Sequence, residues 1–78
     1  MGRKIINIEK IPGESISLRG YLFYPVKITL RKNIFWREEL DCYPFIYDKT
    51  YFNYSCKEKR ISGNLFSLIE KYIINHQP

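Results

Sequence analysis

One histidine, two cysteines and four glycines are all this 78-residue chain offers of the residue types behind most recognisable small-protein chemistry. Each scarcity removes a class of function. His76 stands alone close to the last residue, where chains commonly fray, so no Cys–His pair or Ser–His–Asp triad can be built around it. Cys42 and Cys56 form no Cys-x-x-Cys pair, and no second pair completes a zinc site. Gly2, Gly13, Gly20 and Gly63 are scattered, which leaves no glycine-rich phosphate loop.

Long apolar runs are missing too. No stretch approaches the roughly 20 residues that a membrane-spanning helix needs. The segment Met1-Gly2-Arg3-Lys4-Ile5-Ile6 turns polar at Asn7, Glu9 and Lys10, without the continuous apolar core of a signal peptide. Residue 6 is Ile where a myristoylation motif wants Ser or Thr. A soluble, cytoplasmic protein with no membrane partner is the expectation, extending to the interior of an infected host cell.

Carboxylates gather only at Glu38, Glu39 and Asp41. On a strand Glu39 and Asp41 share a face, as a metal or an acid/base pair would require. Nothing else converges on them, and Lys27, Arg31 or Arg37 across a sheet would neutralise them. No catalytic residue, metal ligand or cofactor is assigned. The chain is expected not to be an enzyme; a small ribonuclease working through Arg, Lys and Tyr is the enzymatic alternative, since it would leave no familiar motif.

What the chain has in quantity is rings and positive charge. Residues are 45% hydrophobic and 17% aromatic, with seven Tyr and five Phe, the composition of a folded protein rather than a disordered tail. Thirteen basic against eight acidic residues give a net charge of +5, which favours a polyanionic partner: nucleic acid, an anionic membrane or an acidic protein face. The length sets one domain, residues 1–78, with a small core of the kind often reinforced by a disulfide, a metal or a partner chain.

Hydrophobic period gives the architecture. Lys4 to Ile11 reads as a short strand closed by Pro12-Gly13. From Ser15 to Arg31 the even positions, Ile16 through Leu30, are apolar apart from Gly20, and predict a core face. Gly20 and Pro25 make this a bent strand, or two strands in phase. Arg31-Lys32-Asn33 reads as a turn, and Ile34 to Leu40 as a strand carrying Trp36. Cys42–Tyr47 and Tyr51–Cys56 read as a hairpin with a three-residue loop, Asp48-Lys49-Thr50, placing Tyr47 opposite Tyr51 and Cys42 opposite Cys56. The cysteines are then buried thiols or a cross-strand disulfide; an intracellular setting favours the thiols. After the charge cluster Lys57-Glu58-Lys59-Arg60 and the break at Ser62-Gly63-Asn64, Leu65, Leu68, Ile69, Tyr72 and Ile73 recur at helical spacing. The predicted fold is α+β: an antiparallel sheet of four to five strands with one C-terminal amphipathic helix packed on one face.

The odd face of the long strand carries Arg19, Tyr21, Phe23, Lys27 and Arg31, and Tyr43, Phe45, Tyr47, Lys49 and Tyr51 extend it if the sheet is continuous. Rings and cations on a sheet bind single-stranded nucleic acid by stacking on bases and neutralising phosphates. Tyr and Arg also dominate protein–protein hot spots, and aromatics fit any half-buried pleated surface. The expectation is a self-associating, non-enzymatic protein-binding adaptor or inhibitor meeting an acidic partner face, with single-stranded nucleic-acid binding through the same face as the alternative. The wealth of Ile, Lys, Asn and Tyr suggests an AT-rich coding sequence, as in phages and other mobile elements.

Overall fold

A computed structural model describes residues 4–49, 51–57 and 59–78; Met1 to Arg3 of the N-terminal segment, Thr50 of the expected loop and Glu58 of the charge cluster lie outside them. Seven strands precede one helix: β1 (Lys4–Lys10), β2 (Ile16–Leu18), β3 (Tyr21–Phe23), β4 (Val26–Asn33), β5 (Trp36–Asp48), β6 (Tyr51–Cys56), β7 (Lys59–Arg60) and α1 (Gly63–Asn75). Five strands form an antiparallel sheet in the order β1-β4-β5-β6-β7, and β2 and β3 form a separate two-stranded sheet. The helix covers one face of the large sheet. The predicted α+β class and helix position hold.

The alternation in β4 shows why. Val26, Ile28 and Leu30 are buried, whereas Lys27 is half-buried and Arg31 exposed on the opposite side. Their partners in β1 and β5 follow suit, Ile8 opposite Ile28 and Leu40 opposite Ile28 from the other side. Ser62 caps α1 by accepting a hydrogen bond from the Leu65 amide at 3.3 Å. Ile69 and Ile73 then enter the core, while the Phe66 ring meets Phe52 edge-on at 5.1 Å. Leu68, expected in the same stripe, stays half exposed.

The long strand expected from Ser15 to Arg31 is three strands, and its parity breaks at the first turn. Arg19 and Gly20 both take left-handed φ, 55° and 83°, as a two-residue hairpin loop of the I′ kind requires. Leu18 therefore pairs with Tyr21 and Ile16 with Phe23. Paired residues share a face, so odd positions after the turn join even positions before it. Phe23 follows Ile16 and Leu18 into the core, 1% exposed, its ring 4.5 Å from that of Phe52.

Between the two sheets the chain crosses the interior as Tyr24-Pro25, outside any strand, where unpaired backbone groups would be costly. Both carbonyls are matched. The Tyr54 hydroxyl donates to the Tyr24 carbonyl at 2.7 Å, and the Ile11 amide donates to that of Pro25 at 3.0 Å. The Tyr24 hydroxyl in turn donates to the His76 carbonyl at 2.8 Å. The C-terminal residues are thus tied down rather than frayed. The Gln77 amide nitrogen donates to the Leu22 and Ile73 carbonyls, and its oxygen accepts from the Leu22 amide at 2.8 Å, capping the free edge of β3.

Three other expectations change. The turn between β4 and β5 is Ile34-Phe35, not Arg31-Lys32-Asn33, because Asn33 pairs with Trp36 and its side-chain oxygen accepts from the Phe35 amide at 2.8 Å. Cys42 does stand opposite Cys56, with Cα atoms 4.6 Å apart, and the two are joined in a disulfide within the core. That separation is the close approach of a non-hydrogen-bonded antiparallel pair, and the register overrides the expectation of free thiols. One residue further along, Asp48 rather than Tyr47 faces Tyr51, since Tyr47 sits in a bulge.

Candidate docking surface

The large sheet turns one face to the helix and leaves the other open. Cross-strand pairing defines the open face. Lys27 lies between Glu9 and Asp41, Thr29 between Asn7 and Glu39, and Arg31 between Lys4 and Arg37. Charges of both signs are interleaved over this half, and a carboxylate flanks Lys27 on each side. Further along β5 the face becomes aromatic. The rings of Phe45 and Tyr47 lie 5.9 Å apart, and Tyr47 stacks on Tyr51 at 6.3 Å with 22° between planes. The Arg60 guanidinium sits over the Tyr47 ring at 4.3 Å. Tyr43, Tyr47 and Tyr51 are each about half exposed.

Of the residues singled out in the sequence, Lys27, Arg31, Tyr43, Phe45 and Tyr47 share this face, with Tyr43, Phe45 and Tyr47 towards one end of it, Arg31 at the other and Lys27 between them. Lys49 lies beside it in the β5–β6 turn, its amide donating to the Asp48 carboxylate at 2.8 Å. Arg19 and Tyr21 do not join them. They belong to the small sheet, whose β3 packs beside α1 on the other side of the molecule. Phe23 is removed from any surface by the parity change at Arg19-Gly20.

Two features of the surface leave little trace in the sequence. Arg60 enters through β7, too short at two residues to show a period. The Ile34-Phe35-Trp36 tip was hidden because an apolar pair seldom makes a turn; the preceding Asn33 was the available signal.

The chain matches no known family model, no curated protein and no solved structure. Its chemistry rests on this geometry. Among the described residues no group of three His, Cys, Asp or Glu is gathered to hold a metal ion. Among the described residues two titrating groups are perturbed, both in the core: burial raises the Tyr54 phenol, with Tyr24 adding to it, and burial raises Tyr24, with Tyr72 adding.

Proposed function

We propose that this chain is a non-enzymatic protein-binding module, an adaptor or inhibitor that docks through the ring patch Tyr43, Phe45, Tyr47 and Tyr51 with Arg60. The observation carrying this is the pre-stacked cluster on the uncovered sheet face: rings already held by neighbours lose little conformational freedom on binding. Tyr and Arg are the residues on which interfaces most often depend.

Single-stranded nucleic acid is the second reading, favoured by Lys49 and Arg60 beside the same rings. Two features weigh against it. Arg60 already covers one face of Tyr47, and Glu9, Glu39 and Asp41 break the run of cations that a phosphate backbone would follow. The Cys42–Cys56 bond supports a working place with oxidising surroundings over the cytoplasm expected from the sequence.

The test compares the wild-type chain with Tyr47→Ala/Tyr51→Ala, two exposed positions whose truncation leaves the core intact. A protein retained by the wild type and lost from a variant of equal melting temperature supports docking through the rings. Fluorescence anisotropy of labelled single-stranded DNA and RNA over a salt series decides the other way. Micromolar binding that weakens steeply with salt and is lost in the same variant would replace the protein reading with the nucleic-acid one.

A further inference from the structure

The strongest apolar exposure lies away from the ring patch, at the turn joining β4 to β5. Ile34 is 80% exposed, Phe35 89% and Trp36 58%. β4 has its last described pair with β1 at Lys4–Arg31, and β5 meets β6 only from Cys42 onward. The tip therefore projects with no lateral strand among the described residues. Three consecutive large apolar side chains on a convex turn do nothing for the core, and exposure of this kind marks an interaction site.

The base of the tip is cationic. Lys4, Arg31 and Arg37 occupy one rung across β1, β4 and β5, all exposed on the open face. Among the described residues none of the three lies within 4.0 Å of a carboxylate. Arg31 directly opposite Arg37 is a repulsive cross-strand pair. Nearby acids do not cancel the rung: Glu39 stands two rungs deeper, and Glu38, on the inner side of the rung between, is 3.7 Å from Lys57.

An apolar finger with a collar of unpaired cations fits the surface of an anionic bilayer. We propose that the β4–β5 tip is a membrane-surface anchor, with Ile34, Phe35 and Trp36 entering the headgroup region and Lys4, Arg31 and Arg37 meeting lipid phosphates. A convex turn needs a medium that yields around it, which a bilayer supplies and a protein supplies only through a matching pocket. At interfacial depth the turn's open carbonyls keep their water, and Trp beside the apolar tip is at its preferred level. The contact is from one side only. No described helix is long and apolar enough to cross a bilayer, and the sequence-based expectation of no membrane partner rested on the lack of such a segment.

Trp36 is the only tryptophan, so its emission reports the tip alone. The chain is titrated with phosphatidylcholine vesicles, and with vesicles containing roughly one-third phosphatidylserine. Expected is a blue shift of Trp36 and protection from an aqueous quencher with the anionic vesicles alone, weakened by salt. Ile34→Ser/Phe35→Ser should lower vesicle affinity about tenfold or more. Arg31→Ala/Arg37→Ala, which relieves a repulsion and so keeps the fold, should do likewise. The proposal is overturned by an unshifted emission at millimolar lipid, or by vesicle binding that leaves Trp36 open to the quencher. A blue shift that grows with protein concentration in the absence of lipid also overturns it, assigning the tip to a second copy.

Discussion

Replacing Tyr54 with Phe removes one oxygen from the centre of the molecule and tests how the two sheets are joined. Tyr54 is 0% exposed, and its hydroxyl is the donor to the Tyr24 carbonyl in the crossing segment. Leaving a buried carbonyl without its donor costs about 1–3 kcal/mol, partly offset because the hydroxyl no longer has to be desolvated. A net loss of about 1–2 kcal/mol in a domain of this size lowers the melting temperature by roughly 4–16 °C. The assay is thermal unfolding by circular dichroism with the disulfide intact, at pH 7 and then in steps into the alkaline range. The pH axis has a definite sign. Burial raises the Tyr54 phenol, so the folded state keeps a proton that the unfolded chain gives up near pH ~10. Wild-type stability is whole below that pH and falls as pH rises above it, by about 1.4 kcal/mol per unit for this group. Tyr54→Phe lacks that term. The gap between the two proteins should narrow above pH ~10 and close about one unit later. Equal melting temperatures at pH 7, or curves that stay parallel into alkali, would refute the role given to this hydroxyl.

Three further outcomes are expected. Cys42→Ala/Cys56→Ala opens a loop with a sequence separation of 14, worth about 3 kcal/mol of unfolded-state entropy, and should lower the melting temperature by about 10 °C or more; two free thiols titrating in the folded wild type would deny the bond. Gln77→Ala removes the clamp on the edge of β3, so hydrogen exchange at the Leu22 amide should quicken while that at Ile28 in β4 holds; equal protection of Leu22 would show the clamp to be idle. Arg19→Asn puts the favoured Asn-Gly pair where φ is left-handed, and a gain of about 0.5–1 kcal/mol is expected in urea unfolding; a loss would count against the assigned turn.

What could be read from the sequence was whatever depended on a period within one strand or helix. The core face from Tyr24 to Leu30, the opposition of Cys42 and Cys56, and the Ile69–Ile73 stripe all appear as expected. Illegible were the places where a turn resets the phase. Arg19-Gly20 does so silently, because an arginine at positive φ is no ordinary turn signal, and the alternation runs through it unbroken. The same reset carries Phe23 inward and separates Arg19 and Tyr21 from Lys27 and Arg31. The tail was misread for another reason: nothing in Gln77 announces that its amide will imitate a strand residue, since that pairing spans 55 positions.

β5 runs for 13 residues, and at about 3.3 Å per residue it spans nearly the whole 40 Å length of the molecule. Trp36 begins it and Tyr47 comes near its end, about 36 Å away. A single strand, paired with β4 from Trp36 to Cys42 and with β6 from Cys42 to Asp48, thus acts as a ruler between the tip and the rings. No linker lies between the two, so their spacing cannot adapt. A target reaching both sites at once gains avidity only if its own span matches. The pleat adds a direction to the distance: Trp36 faces the helix side of the sheet and Phe45 the other. A surface that held the tip and its cations would lie at the opposite end of the strand from the rings and leave them free to receive something else.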